Sequence, residues 1–244
     1  MHRFYSEECP EQGSPIALTP EDSAHALRVL RLEPGDEVEL LGGGQRWQGQ
    51  LIRIESGLAV ILPHTPLPTT EPALRITLYQ GLPKADKMDW IVQKAVELGA
   101  ARIVPVAMQR SVVKLNPRDG EKKQQRWQRI AREAGKQSGR CMLPQVAQPL
   151  SFTAMCAELQ AGEQILVPWE EAAGYSLRAF AGEHPAVREL GLVIGPEGGI
   201  TPEEIETMRR AGAAPVTLGP RILRTETAGL AALSALYALY GEME

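Results

Sequence analysis

Gly191-Leu-Val-Ile-Gly-Pro-Glu-Gly-Gly-Ile-Thr-Pro-Glu-Glu204 and, further on, Leu218-Gly-Pro-Arg-Ile-Leu-Arg-Thr-Glu-Thr-Ala228 share one grammar. In each, a short apolar run (Leu192–Ile194, then Val216–Leu218) stops at Gly-Pro. Such runs read as buried strands ending in turns. Each turn leads into a helix. Thr201-Pro202-Glu203-Glu204 offers an N-cap, a proline at the first helical position and a carboxylate at the third. Thr225 or Thr227 can cap the Ala/Leu-rich run from Ala228 to Tyr240. Two strand ends thus present glycine-bordered loops and helix N-termini side by side. In a parallel sheet, that edge is where ligands bind.

Gly195, Gly198 and Gly199 remove side chains, so a flat ligand can lie against bare backbone. The spacing is not that of a dinucleotide fingerprint, whose glycines recur as G-x-G-x-x-G, and no Gly-Lys-Ser/Thr marks a phosphate loop. Gln164-Ile-Leu-Val-Pro168 followed by Trp169-Glu-Glu171 repeats the pattern of a strand running into a proline-containing turn.

The flanking sequence extends this arrangement. Leu74–Tyr79 reads as a strand, and Lys84-Ala-Asp-Lys-Met-Asp-Trp90 leads into a helix. Met88, Ile91, Val92, Ala95 and Val96 are its apolar stripe and Gly99 its C-cap. Ile103–Val106 is the next strand. A helix from about Glu121 to Gln137 turns Trp127, Ile130, Ala131 and Ala134 inward. Strand and helix alternate through residues 74–240, which predicts a mostly parallel α/β sheet.

Residues 1–72 read differently. Thr19 and Pro20 open a helix that reaches Leu30. Short strands follow at Val38–Leu41, Arg46–Ile54 and Leu58–Leu62. The stretch from Pro63 to Pro72 holds four prolines and reads as a stiff linker. The predicted organisation is a β-rich domain over 1–72, with the linker at about 63–72, and an α/β domain over 73–244.

Hydrophobic residues make up 43% of the 244, ample for a core in each domain. The longest apolar runs fall far short of a membrane span. The N-terminus has no apolar signal region, and three scattered cysteines without metal spacing fit reduced thiols in a cytosol. A cytoplasmic protein without a metal site or a membrane is expected. Net charge is −4, but it is unevenly spread. Residues 73–145 carry 15 basic against 6 acidic side chains, whereas both flanking thirds are net acidic. Within this band, 110–140 holds 10 basic and 3 acidic residues and is the expected phosphate track, Arg126, Arg129 and Lys136 in particular. In the first domain His25, Arg28 and Arg31 recur on one helix face with Arg3 nearby. They are either phosphate contacts or solvated charge.

The two glycine motifs resemble the signatures of the SPOUT methyltransferases, and within these the RsmE family, which methylates N3 of a uridine in small-subunit ribosomal RNA. Met1-His-Arg-Phe4, Leu27-Arg-Val-Leu-Arg31, Asp86–Lys94, Arg110-Ser-Val-Val-Lys114 and Glu133–Arg140 resemble that family's blocks in its order. The resemblance implies an N-terminal PUA-like barrel, a C-terminal trefoil knot, an obligate homodimer and S-adenosyl-L-methionine in three knot loops. The first loop contributes Leu166, Val167, Pro168 and Glu170. The second contributes Ile194, Gly195, Pro196, Glu197, Gly198 and Gly199. The third contributes Leu218, Gly219, Ile222, Leu223, Arg224, Thr225, Thr227 and Ala228.

Methyl transfer to uridine N3 requires alignment of the two reactants and a deprotonated ring whose charge spreads onto O2 and O4. A fixed guanidinium stabilises that charge without taking the proton. Arg224 is the first candidate, with Arg110 and Arg140 next. A carboxylate could accept the proton, with Glu226, Glu133 and Glu197 as options. Two other readings remain open here. One is another SPOUT activity, on a ribose 2′-OH or on transfer RNA. The other is a noncatalytic RNA-binding assembly factor.

Overall fold

The computed structural model describes residues 1–113, 116–159 and 164–243; Lys114 of the basic band lies outside them. The chain forms two compact units. One comprises Met1–Glu71 with Gly135–Leu143, the other Pro72–Ala134 with Pro144–Glu244.

The first unit is a five-stranded sheet of β1 (His2–Tyr5), β2 (Ile16–Ala17), β3 (Glu37–Gly42), β4 (Gln45–Glu55) and β5 (Leu58–Leu67). Their order is β1-β3-β4-β5-β2, with β1 parallel to β3 and the remaining pairs antiparallel. Phe4, Leu18, Val38, Leu40, Leu51 and Ile61 fill its core. Two expectations are corrected. First, β5 continues through Pro63 and Pro66, which pair with Gly49 and Trp47, so the proline-rich linker begins as strand. Strand β2 meets β5 only at Val60 and Ile61, so beyond them β5 borders β4 alone and a missing N–H is tolerated. Second, the helix is not one α-helix to Leu30. Thr19 caps α1 (Pro20–Ala24), which passes into a π-helical turn over His25–Val29, closed by Leu30 N–H to His25 C=O at 3.0 Å. Arg31 then adopts a left-handed φ of 55°.

Segment Gly135–Leu143 is tied into this unit by Glu71. Its carboxylate accepts from the Arg140 guanidinium (2.7 and 3.0 Å) and from the backbone N–H of Cys141 (2.7 Å) and Met142 (3.0 Å).

The second unit is built on a parallel sheet of β6 (Arg75–Gly81), β7 (Arg102–Ala107), β8 (Gln145–Val146), β9 (Leu150–Ser151), β10 (Gln164–Pro168), β11 (Glu189–Ile194) and β12 (Ala213–Val216). The order is β12-β10-β11-β6-β7-β8, with β9 also beside β7, and every pair is parallel. Its strands are apolar on both sides because helices cover both faces. Leu78, Leu166 and Leu192 face α2 (Lys87–Leu98), α5 (Leu177–Glu183) and α7 (Thr225–Leu239). Their neighbours Tyr79, Val167 and Val193 pack with α4 (Phe152–Leu159) and α6 (Pro202–Arg210). The stripe of α2 is buried as its periodicity predicts, and Gly99 caps the helix at φ 112°. The longest helix, α3 (Pro117–Ser138), buries Trp127, Ala131 and Ala134.

The last strand ends at Val216, two residues before the expected end at Leu218. The Ala-Ala-Pro sequence made the true strand look weak. Helix α7 starts at Thr225, three residues earlier than expected, and no side chain caps it.

Candidate functional site

Three parallel strands, β10, β11 and β12, end side by side, and the loops beyond them enclose a cavity of about 780 Å³. That is the size of a small-molecule site. Pro168, Trp169, Glu170 and Ala172 line it from the first loop, Ile194–Ile200 from the second and Thr217–Thr225 with Ala228 from the third. Lys87 joins them from the start of α2. Of the residues expected to hold a cofactor, Leu166, Val167 and Thr227 do not line it. The first two are fully buried strand residues of the core.

Packing inside the protein explains Gly195 and Gly198 of the second loop, and a left-handed φ of 76° explains Gly199. A Cβ on Gly198 would meet Arg110 Cβ at 2.8 Å, and one on Gly195 would meet Ile200 Cγ1 at 2.7 Å. So the space left by Gly198 is taken up by Arg110, whose guanidinium also donates to the Gly198 carbonyl at 3.0 Å. Gly81, ending β6, lets Pro196 approach to 2.6 Å of where a Cβ would sit. The capping box expected at Thr201 and Glu204 forms in full and starts α6.

Lys87, which sequence patterning did not single out, bridges two carboxylates. Its ammonium lies 3.1 Å from Glu197 and 3.1 Å from Glu226, joining the second loop to the first turn of α7. Glu197 also accepts from the backbone N–H of Lys84. Burial pushes both carboxyls up, but backbone N–H donors and Lys87 outweigh it and hold both below the usual carboxylate range. Lys87 in turn is raised by hydrogen bonds to Glu197 and then Glu226.

Arg224 lines the cavity and is exposed, and its side chain makes no hydrogen bond or ion pair among the described residues. Its charge contributes to holding Glu226 down. Thr225 is buried and its hydroxyl is committed to the Gly195 carbonyl at 2.6 Å. Arg110 sits against the second loop. The other two catalytic candidates lie elsewhere: Arg140 is buried in the first unit against Glu71, and Glu133 is exposed on α3.

Among the expected RNA contacts, His25, Arg28, Arg31 and Arg129 are exposed. Arg126 is paired with Asp89, Lys136 with Asp22 at 3.1 Å, and Arg3 with Glu39 at 3.2 Å. Among the described residues no cluster suits a metal ion, and no helix is long and apolar enough to cross a membrane.

A parallel α/β unit with a cavity at the ends of its strands, preceded in the chain by a small β-sheet unit, defines a ligand-binding α/β protein. Residues 70–237 match the model of the RNA methyltransferase domain and residues 18–62 that of the RNA methyltransferase PUA domain. The chain belongs to the ribosomal RNA small subunit methyltransferase E family. It is 34% identical to the Bacillus subtilis member over 97% of this chain and 96% of that one. Among solved structures it resembles the Neisseria gonorrhoeae ribosomal RNA small subunit methyltransferase E bound to S-adenosyl methionine (33% identity, TM-score 0.81, 98% of each chain). It also resembles a Legionella pneumophila methyltransferase in complex with the same cofactor (32% identity, TM-score 0.78, covering 97% of this chain and 96% of that one).

Proposed function

We propose that this protein transfers a methyl group from S-adenosyl-L-methionine to N3 of a uridine in the 16S ribosomal RNA of the small subunit. The observation that carries this reading is the cavity at the strand ends, with an unpaired arginine, Arg224, on its wall. The lining suits the cofactor. Ile194, Leu218 and Leu223 offer apolar surface for a flat base, and Glu170 offers a carboxylate for an amino group. The buried indole N–H of Trp169 has no partner among the described residues. Bound adenosylmethionine supplies a methyl group on a sulfonium, so Arg224 has to point away from the sulfur, and a cation beside it has to be neutralised. Lys87 meets that condition because Glu197 and Glu226 neutralise it.

Arg224 serves the other reactant. Its fork offers donors to the charge that develops on the uracil oxygens, so the ring loses its N3 proton more readily. Glu226 and Glu197 stay ionised and engaged with Lys87. Neither has the near-neutral pKa that suits a general base at pH 7.

RNA is held by the exposed basic residues of α3, Arg129 foremost. In the first unit Arg28 and Arg31 project on and after the π-helical turn. Apolar Ile222, 82% exposed on the third loop, and Leu239 at the end of α7 support a homodimer that covers them. The trefoil knot is supported by the path of the chain from edge strand β12 back to α7, which packs on β6 and β11. A ribosomal substrate supports a cytoplasmic location.

The test is incubation with unmodified small-subunit RNA or particles and labelled adenosylmethionine, followed by nucleoside mass spectrometry. 3-Methyluridine is expected. A ribose-methylated product, or none with binding intact, would replace this reading with another SPOUT activity or an assembly role.

A further inference from the structure

Gln80, the penultimate residue of β6, is 0% exposed and does not line the cavity. Its amide nitrogen donates to Thr225 Oγ1 at 2.9 Å and to the Gly81 carbonyl at 3.0 Å. The Thr225 hydroxyl then gives its one proton to the Gly195 carbonyl at 2.6 Å. A directed chain of bonds therefore links β6, the second loop and the first turn of α7. Its direction is fixed, because turning the amide over would set Oε1 against the Gly81 carbonyl.

The other end of that amide, Oε1, is buried without a hydrogen-bond partner among the described residues. An unpaired buried polar atom lowers stability, and an apolar side chain of similar shape would avoid the loss. Lys87 spans the same two elements at the rim, from Glu197 to Glu226. The loops are thus tied at two points, one buried and neutral, one partly exposed and ionic. Both ties start from the β6–α2 segment, which belongs to neither loop.

We infer that Gln80 is a positioning residue for the cofactor site: through Thr225 it sets the spacing between the Gly195 loop and the N-terminal turn of α7. This rests on the adenosylmethionine reading above. Gln80 acts at one remove, since only Thr225 and Gly195 reach the cavity wall.

The test measures adenosylmethionine affinity by calorimetry and the thermal unfolding midpoint on the same samples. Gln80→Leu removes both the donor and the unpaired oxygen. It should bind the cofactor about tenfold more weakly while its unfolding midpoint falls only slightly, because loss of the unpaired oxygen offsets part of the two hydrogen bonds removed. Gln80→Glu cannot donate to Thr225 while ionised, and regains a donor when protonated. Its affinity deficit should therefore shrink as pH is lowered between about pH 9 and 5, whereas that of Gln80→Leu should not follow pH. Thr225→Val breaks the same chain from the other side and carries the test if Gln80→Leu does not fold. Combined with Gln80→Leu it should add little to the loss. Wild-type affinity in Gln80→Leu and Thr225→Val, or a midpoint that falls in step with affinity, would overturn the inference and leave the cofactor reading intact. If the wild-type protein itself binds no adenosylmethionine, both fall together.

Discussion

Arg224 is distinguished by what it lacks. Arg126, Arg140 and Lys87 each bond a carboxylate, whereas the Arg224 side chain, like that of Arg221 beside it, stands on the cavity wall without an ion pair among the described residues. Replacing it by lysine keeps the charge and loses the planar fork. We predict that Arg224→Lys keeps its adenosylmethionine affinity and loses at least about tenfold in single-turnover rate. Part of that rate should return at alkaline pH, where more uridine is already deprotonated. Normal turnover would make the residue structural. The carboxylates lead to a pH prediction. Glu197 and Glu226 are held below the ordinary glutamate value of about 4.3. The stability they add is present above that value and is lost as pH falls through their folded values. Cofactor affinity should therefore be flat between about pH 6 and 9 and decline only in acid. An inflection near neutrality that vanishes in Glu226→Gln would instead make Glu226 the proton acceptor.

At the scale of elements, the helix N-termini divide by how they are closed. Helix α6 is closed by its own sequence, with Thr201 and Glu204 exchanging hydrogen bonds with each other's backbone N–H. Helix α7 has no such cap, because Arg224 stands at its N-cap, and its first threonine is bonded to Gly195. The start of α7 is therefore shaped by the loop beside it. Gly229, one turn further on, has no steric need to be glycine. A Cβ there would find Ile194, Gln80 and Leu78 at 3.4–3.6 Å, which is ordinary contact. Gly229→Ala should stabilise the protein by about 0.5–1 kcal/mol, read as a rise in the unfolding midpoint. A lower midpoint would mean that Ile194, Gln80 and Leu78 leave less room for a methyl group than these distances indicate.

For the whole molecule, a net charge of −4 is reconciled with an RNA substrate by where the positive charge is concentrated. Pairing narrows that further, since Arg126 and Lys136 are already engaged with aspartates. Exposed Arg129 and Lys122 on α3 are better probes. Arg129→Glu with Lys122→Glu should weaken RNA binding, lower the slope of log affinity against log salt by about 1.5, and spare adenosylmethionine binding. An unchanged slope would move the track off α3. A homodimer should sediment as such at micromolar concentration, and Ile222→Asp should shift it toward monomer without unfolding it. A wild-type monomer would show that Ile222 and Leu239 face solvent.

What the sequence determined by itself was local. The apolar stripe of α2, the Thr-Pro-x-Glu start of α6, strand β10 and the Gly99 cap could all be read because helix periodicity and capping act within four or five residues. The position of the cavity was also legible, since strands that alternate with helices form a parallel sheet and their ends collect at one edge. Pairings across distance were decided by the tertiary structure. Gln80 meets Thr225 across 145 residues and Lys87 meets Glu226 across 139, and no pattern near either residue signals it. The missing side chain of Gly198 read as room for a ligand, and the fold fills that space with Arg110 while Gly198 still lines the cavity. Arg140 read as a free guanidinium in the sequence, and the fold pairs it with Glu71, 69 residues away. Composition and spacing determine which elements form. Which side chains are free at the site depends on the partners that distant strands and loops bring beside them.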